Sequence, residues 1–241
     1  MSTEEEFSFF DLVSEDLLPS RPTENLGESF LTFDGLLPAP GLKVTEDGGA
    51  AGCGGKLWPA GELLSRYMIR TNDQYNGKFT NILELGSGTG LVGLAIASLR
   101  REQKDLKVWV TDQENMISLM NQNIALNDLE DTVKAEAFYN FDDNRGDELP
   151  AYATENKIDV VLAADCVYLE AAFPLLEKTL LDLTAVENPP LVLMSYKKRR
   201  KADARFFKHM KKFFVFEEIK DHMDYDKFIK DSVFLYKIKR K

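Results

Sequence analysis

From residue 81 onward the chain alternates between short apolar runs and longer stretches whose apolar positions recur three and four apart. The runs 81–85, 107–111, 133–138, 159–164 and 191–195 are rich in Val, Leu, Ile and Ala and predict strands. Residues 90–102, 114–127 and 173–183 lie between them and predict helices. Strands this apolar, separated by helices, belong to a parallel sheet covered on both faces. Upstream, 57–69 predicts an amphipathic helix, with Leu63, Leu64, Tyr67 and Met68 on one face. The last third predicts a helix over 202–214 with a Phe206, Phe207 and Met210 face. Two late strands follow, 214–219 and 233–238, joined by a long acidic loop. Residues 1–56 hold no sustained period and are punctuated by Pro19, Pro22, Pro38 and Pro40. They predict an irregular leader packed on the domain, with a short strand pair around 30–44. The expected organisation is a leader, 1–56, and a single Rossmann-like α/β domain, 57–241.

Length and composition agree with one soluble domain: 241 residues suffice for its own core. No apolar run approaches the roughly 18 residues of a membrane span. The N-terminus, Met-Ser-Thr-Glu-Glu-Glu, lacks the basic and apolar regions of a signal peptide. Cys53 and Cys166 are too few for a disulfide framework or a zinc site, so a reducing, cytosolic or nuclear setting is expected. The net charge of −10 is uneven: residues 197–241 carry 16 Lys/Arg against 7 Asp/Glu, and the rest carries 14 against 33. An acidic face of this kind suits a basic protein surface better than a phosphate backbone, unless it is only a solvated surface. The run from Lys197 to Lys201 directly follows a strand and reads as a solvated loop rather than a nucleic-acid arm.

Chemistry concentrates first at residues 82–93, Ile-Leu-Glu-Leu-Gly-Ser-Gly-Thr-Gly-Leu-Val-Gly. An apolar strand ending in Gly86, Gly88 and Gly90 before a helix lets a ligand approach bare backbone. A nicotinamide fingerprint wants a different glycine spacing, and Leu91 weighs against it. The segment from Glu84 through Gly86, Ser87 and Gly88 to Gly90 instead resembles motif I of methyltransferases dependent on S-adenosylmethionine (AdoMet). Asp112, 26 residues after Gly86, ends the second strand, where an acid accepts hydrogen bonds from ribose hydroxyls or simply caps the next helix. After the third strand, Tyr139 and Phe141 either stack on adenine or pack at the strand end, and Asn140 is placed to hydrogen-bond the ring. The fourth strand leads to Ala163, Ala164, Asp165, Cys166 and Tyr168. Small Ala163 and Ala164 let a cofactor pass close. Asp165 and Tyr168 either hold an incoming amine or serve as a cap and a packed ring. Cys166 reads as a small buried residue rather than a nucleophile. Trp58, before the first helix, either lies over the methionine end of the cofactor or belongs to the core.

Taken together, Trp58, the Glu84–Gly93 motif, Thr111-Asp112 and the Asp165-x-x-Tyr168 element resemble methyltransferase family 16, the seven-stranded protein-lysine methyltransferases. Met194-Ser195-Tyr196 and Arg205-Phe206-Phe207 are similar to its later strand and helix. The resemblance implies a mostly parallel seven-stranded sheet with an antiparallel late strand and helices on both faces. It also implies AdoMet as cofactor, bound through Trp58, Glu84, Gly86, Ser87, Gly88, Asp112, Asn140 and Ala164, and catalysis by Asp165 and Tyr168. No metal is implied. Relatives usually carry Leu-x-Trp-Gly after the third strand; this chain departs from that with Phe138-Tyr139-Asn140-Phe141. The leader looks most like the fungal elongation factor methyltransferase 6 type. That likeness implies a lysine of translation elongation factor 1-alpha as substrate and a cytoplasmic monomer without membrane or nucleic-acid partners. A small-molecule methyltransferase and a non-catalytic binding module with the same fold are the alternatives.

Overall fold

Two short strands, β1 (Gly27–Leu31) and β2 (Leu42–Glu46), pair antiparallel ahead of the main body. The computed structural model describes residues 27–48, 52–75, 78–138 and 148–241. The main sheet contains β3 (Asn81–Leu85), β4 (Lys107–Asp112), β5 (Val133–Ala137), β6 (Val160–Ala164), β7 (Leu191–Lys197), β8 (Phe214–Glu218) and β9 (Val233–Arg240). Their order is β5-β4-β3-β6-β7-β9-β8. The first five are parallel, and β9 enters between β7 and β8, antiparallel to both. This is the seven-stranded arrangement expected from the sequence.

Period-two alternation divides the core cleanly. Ile82, Val108, Val160 and Leu162 face one side, where α1 (Pro59–Arg70), α3 (Leu91–Leu99) and α4 (Ile117–Ala125) supply Leu64, Met68, Leu94, Ile96 and Met120. Leu83, Leu85, Val161 and Ala163 face the other, against Leu176 and Leu180 of α6 (Phe173–Leu183) and Phe206 and Met210 of α7 (Lys201–Met210). Burying both faces explains why these strands read as continuous apolar runs.

Several boundaries differ from expectation. The helix expected over 90–102 begins at Leu91 because Gly90 takes a left-handed conformation at its N-cap, with φ 81°. The stretch 114–127 divides into a 3-10 turn, Glu114–Met116, and α4. Three short helices arise where loops were expected: α2 (Asn72–Tyr75), α5 (Ala151–Glu155) and α8 (Tyr225–Ile229). The last lies inside the acidic loop and buries Phe228.

The hairpin is bound to the domain by side chains that imitate a strand. Asn123 of α4 accepts from Thr45 N–H at 2.7 Å and donates to Thr45 and Thr89 carbonyls at 3.2 and 3.0 Å. One turn later Asn127 treats Lys43 in the same way, at 2.9 and 2.7 Å. Leu42 and Val44 are fully buried between these anchors. Asn123→Leu should therefore destabilise the protein by about 1–3 kcal/mol, because it leaves Thr45 groups without their partner. Urea unfolding together with limited proteolysis of the hairpin checks this; an unchanged midpoint would refute it.

Candidate active site

Four strand ends converge at one edge of the sheet. Leu85 of β3 stands beside Thr111 of β4 and Ala163 of β6, and Ala164 stands beside Ser195 of β7. The chain order reverses between β3 and β6, the switch point at which open α/β sheets bind ligands. A cleft of about 1060 Å³, its open mouth included, lies there. Trp58, Glu84, Gly86, Ser87, Gly88, Asp112, Ala164, Asp165 and Tyr168, nine residues singled out from the sequence, all line it. Tyr139, Asn140 and Phe141 lie outside the described residues, so the expected adenine contact of Asn140 does too.

The glycine loop is built by its neighbours. Gly86 and Gly88 hold φ of 57° and 56°, where L side chains are strained. Ser87 donates to Glu84 carbonyl and receives Thr111 N–H, which fastens the loop to β4. Asp112 Oδ2 accepts Gly88 N–H at 2.8 Å, and Oδ1 accepts Gln113 N–H at 2.8 Å. Asp112 is thus a loop acid and a cleft residue at once, since each carboxylate oxygen keeps a further lone pair. Burial raises its pKa against the lowering effect of these two N–H groups.

Glu84 is almost fully buried and its Oε2 accepts Gly93 N–H at 2.7 Å, so it also ties β3 to the first turn of α3. Burial pushes its carboxyl up to about 8; the Gly93 and Val92 N–H groups pull it down, and the Asp112 charge adds to the rise. The folded state therefore holds a proton that the unfolded chain has lost above its ordinary value of 4.5. Glu84's contribution to stability is greatest below that value and declines as pH rises through the folded pKa of about 8. Between pH 5 and 8, wild-type stability should fall by about 1 kcal/mol per pH unit relative to Glu84→Gln. Urea unfolding of both proteins across that range measures it, and parallel curves would disprove it.

Asp165 leaves β6 with φ 61°, an outlier for a non-glycine residue at a buried strand end. Its N–H donates to Ser195 carbonyl, and its Oδ1 receives Lys197 N–H at 3.1 Å. Arg199 then grips the carboxylate as a fork, Nη1 to Oδ1 at 2.8 Å and Nη2 to Oδ2 at 2.5 Å. The same guanidinium lies 5.4 Å from the Trp58 ring centroid. The run 197–201 is therefore only in part the solvated loop expected: Lys198 and Lys201 are exposed, but the others are engaged. Lys197 ends β7, Arg199 lines the cleft, and Arg200 donates to Tyr168 carbonyl while Asp203 accepts the Arg199 and Arg200 N–H groups. The signal lies in the strand order rather than in the local sequence. Residues just after a strand adjacent to β6 must emerge beside Asp165.

Cys166 also lines the cleft and donates its thiol to Leu85 carbonyl; burial pushes its pKa well up, which keeps it a thiol. Among the described residues no group of three or more His, Cys, Asp or Glu is arranged to hold a metal ion. Nor is any helix among them long and apolar enough to cross a membrane.

Comparison with known proteins agrees with this geometry. The chain is 46% identical to Saccharomyces cerevisiae protein-lysine N-methyltransferase EFM6, over 94% of this chain and 96% of that one. It is 29% identical to zebrafish (Danio rerio) protein N-lysine methyltransferase METTL21A, over 74% and 76%. A solved methyltransferase of Podospora anserina, PaMTH1, shares the fold with a TM-score of 0.50 at 14% identity, covering 90% of this chain and 91% of that one. Residues 36–213 match the model of the lysine methyltransferase family, a span that includes the glycine loop, Asp112, Asp165, Tyr168 and Arg199. The chain belongs to the lysine methyltransferase family.

Proposed function

We propose that this protein-lysine methyltransferase uses AdoMet and methylates translation elongation factor 1-alpha, as a monomer in the cytoplasm. The observation that carries the cofactor is the cradle at Gly88. A Cβ there would stand 2.5 Å from Gly54 carbonyl oxygen, so only glycine lets the loop pack against Gly54 at the cleft wall, where Asp112 fixes the Gly88 N–H and keeps spare lone pairs. The elongation-factor substrate is supported by the leader's resemblance to the fungal elongation factor methyltransferase 6 type, and the 46% identity to EFM6 supports a protein lysine as acceptor.

AdoMet, when bound, supplies a methyl group activated by a sulfonium. Gly86, Ser87, Gly88 and Ala164 would hold its backbone-facing side, Asp112 its ribose and Trp58 its cationic end, while Glu84 keeps the loop in place. Asp165 accepts N–H groups of the acceptor lysine and aims its lone pair, and Tyr168 walls the channel. Lysine's ordinary pKa of about 10.4 makes loss of its proton essential, and burial in the cleft favours the neutral amine. Holding the reactants in line accounts for most of the acceleration.

The test is incubation of the purified protein with tritiated AdoMet and cell lysate, with Asp165→Asn as control. A labelled band at the size of elongation factor 1-alpha, absent with the variant, is the expected result. A different labelled protein would discard the substrate and keep the activity. Measurable AdoMet binding with no protein label would favour a small-molecule acceptor.

A further inference from the structure

The cleft contains a full positive charge that methyl transfer, as just described, does not use. Arg199's side chain is 13% exposed and Asp165's 7%, so their forked pair is largely withdrawn from water. Such a pair is held strongly, because breaking it leaves one charge buried without compensation. Around it, Lys56 lines the cleft ahead of α1, and Glu84 and Asp112 face the glycine loop, bonded to Gly93, Gly88 and Gln113 N–H groups. On the opposite side, Asp203 of α7 is engaged by backbone N–H groups, and Arg200 reaches Tyr168 carbonyl. Cys166 is held as a thiol by its burial, and the Tyr168 phenol lines the same wall.

A lone carboxylate beside the acceptor would hinder this reaction. An opposite charge within about 4–6 Å favours the charged form of a lysine, and an ammonium has no lone pair with which to attack. The fork removes the net charge of the carboxylate while leaving each oxygen a lone pair for an amine N–H. Resting on the proposed role of Asp165, we infer that Arg199 is a positioning residue: it neutralises and orients Asp165, so that the acceptor lysine is gripped by hydrogen bonds yet still releases its proton near neutral pH. The proton leaves to solvent before attack, and the new C–N bond forms as the C–S bond breaks. Trp58 supports the arrangement by presenting its ring face to the same guanidinium.

The test follows kcat, which reports groups in the substrate complex, against pH for wild type, Arg199→Met and Arg199→Lys. The probe is saturating AdoMet with the protein that wild type labels in lysate, and calorimetry gives each variant's AdoMet affinity. In Arg199→Met the acid limb should move alkaline by about one unit or more, a loss of about ten-fold or more at pH 7 that recovers at high pH. Arg199→Lys keeps the charge without the fork, so its limb should stay near that of wild type with a lower plateau. Calorimetry separates any change in AdoMet affinity passed through Trp58, which touches the guanidinium, from the displacement of the limb, which saturating AdoMet makes independent of that affinity.

A limb that stays in place in Arg199→Met, with activity lost evenly across pH, overturns the inference and leaves Arg199 a structural strut. So does a limb displaced equally in Arg199→Lys. If Arg199→Met does not fold, Arg199→Gln must show the same alkaline displacement, or the inference falls. Absence of lysine labelling by wild type itself would overturn the reading beneath the inference, so the two failures are distinguishable.

Discussion

Asp165→Asn is expected to lower kcat by about 100-fold or more while AdoMet affinity changes little, because the lost group acts on the acceptor. Asn preserves the shape of the side chain and an oxygen for Lys197 N–H, which Asp165 now receives at 3.1 Å. What it lacks is the second charged oxygen that completes the Arg199 fork. Asp165→Ala would be the poorer probe. It removes every oxygen that Arg199 and Lys197 N–H bond to on this side chain, and so mixes a folding defect with a catalytic one. The double variant Asp165→Asn/Arg199→Met separates the two, since it removes both charges. Its unfolding midpoint should recover towards wild type while its turnover does not. Retention of wild-type kcat in Asp165→Asn would take Asp165 out of the reaction.

Gly88→Ala should strike the other half of the cleft. The new Cβ would meet the Gly54 carbonyl at 2.5 Å, and backbone on both sides leaves no flexible side chain to yield. The residue would also keep a φ of 56°, unfavourable for Ala by about 1–2 kcal/mol. Relief requires the loop to move, which takes Gly88 N–H away from Asp112. Stability should therefore fall by about 1–3 kcal/mol and AdoMet affinity by about ten-fold or more. Calorimetric titration and urea unfolding read the two effects; AdoMet binding equal to wild type would show that the loop does not cradle the cofactor. Gly93→Ala is a useful contrast. Its Cβ would press on Val110 Cγ1 at 2.6 Å and on Val108 Cγ1 and Glu84 Oε2 at 3.0 Å, so its clash is with buried side chains of β3 and β4 rather than with the Gly54 backbone.

The sheet was readable from the sequence because its central strands are buried on both faces, which makes 81–85, 159–164 and 191–195 nearly unbroken apolar runs. The glycine loop and Asp112 were readable for a related reason: a left-handed turn after a strand admits few residue types. The short helices were not. Five residues, as in α5 and α8, hold too little of a 3.6-residue period to separate from a loop. Arg199 was hidden by its neighbours. Among Lys197, Lys198, Arg200 and Lys201 it looks like one more solvated cation, and only the side-by-side exit of β6 and β7 turns it inward. Asn123 and Asn127 were equally silent. Their value lies in a hairpin about 80 residues away in sequence, which no local pattern encodes.

The insertion of β9 between β7 and β8 has a consequence for how the molecule is made. On the ribosome β8 emerges before β9, yet among the described residues β8 pairs in the sheet with β9 alone. During that interval the outer edge of β7 is an open row of backbone donors and acceptors flanked by apolar residues, and β8 has no place to dock. A nascent chain arrested there would be a sticky intermediate and a natural client for a chaperone. Variants that slow completion of β9 should then reduce soluble yield in the cell without altering the activity of the molecules that mature.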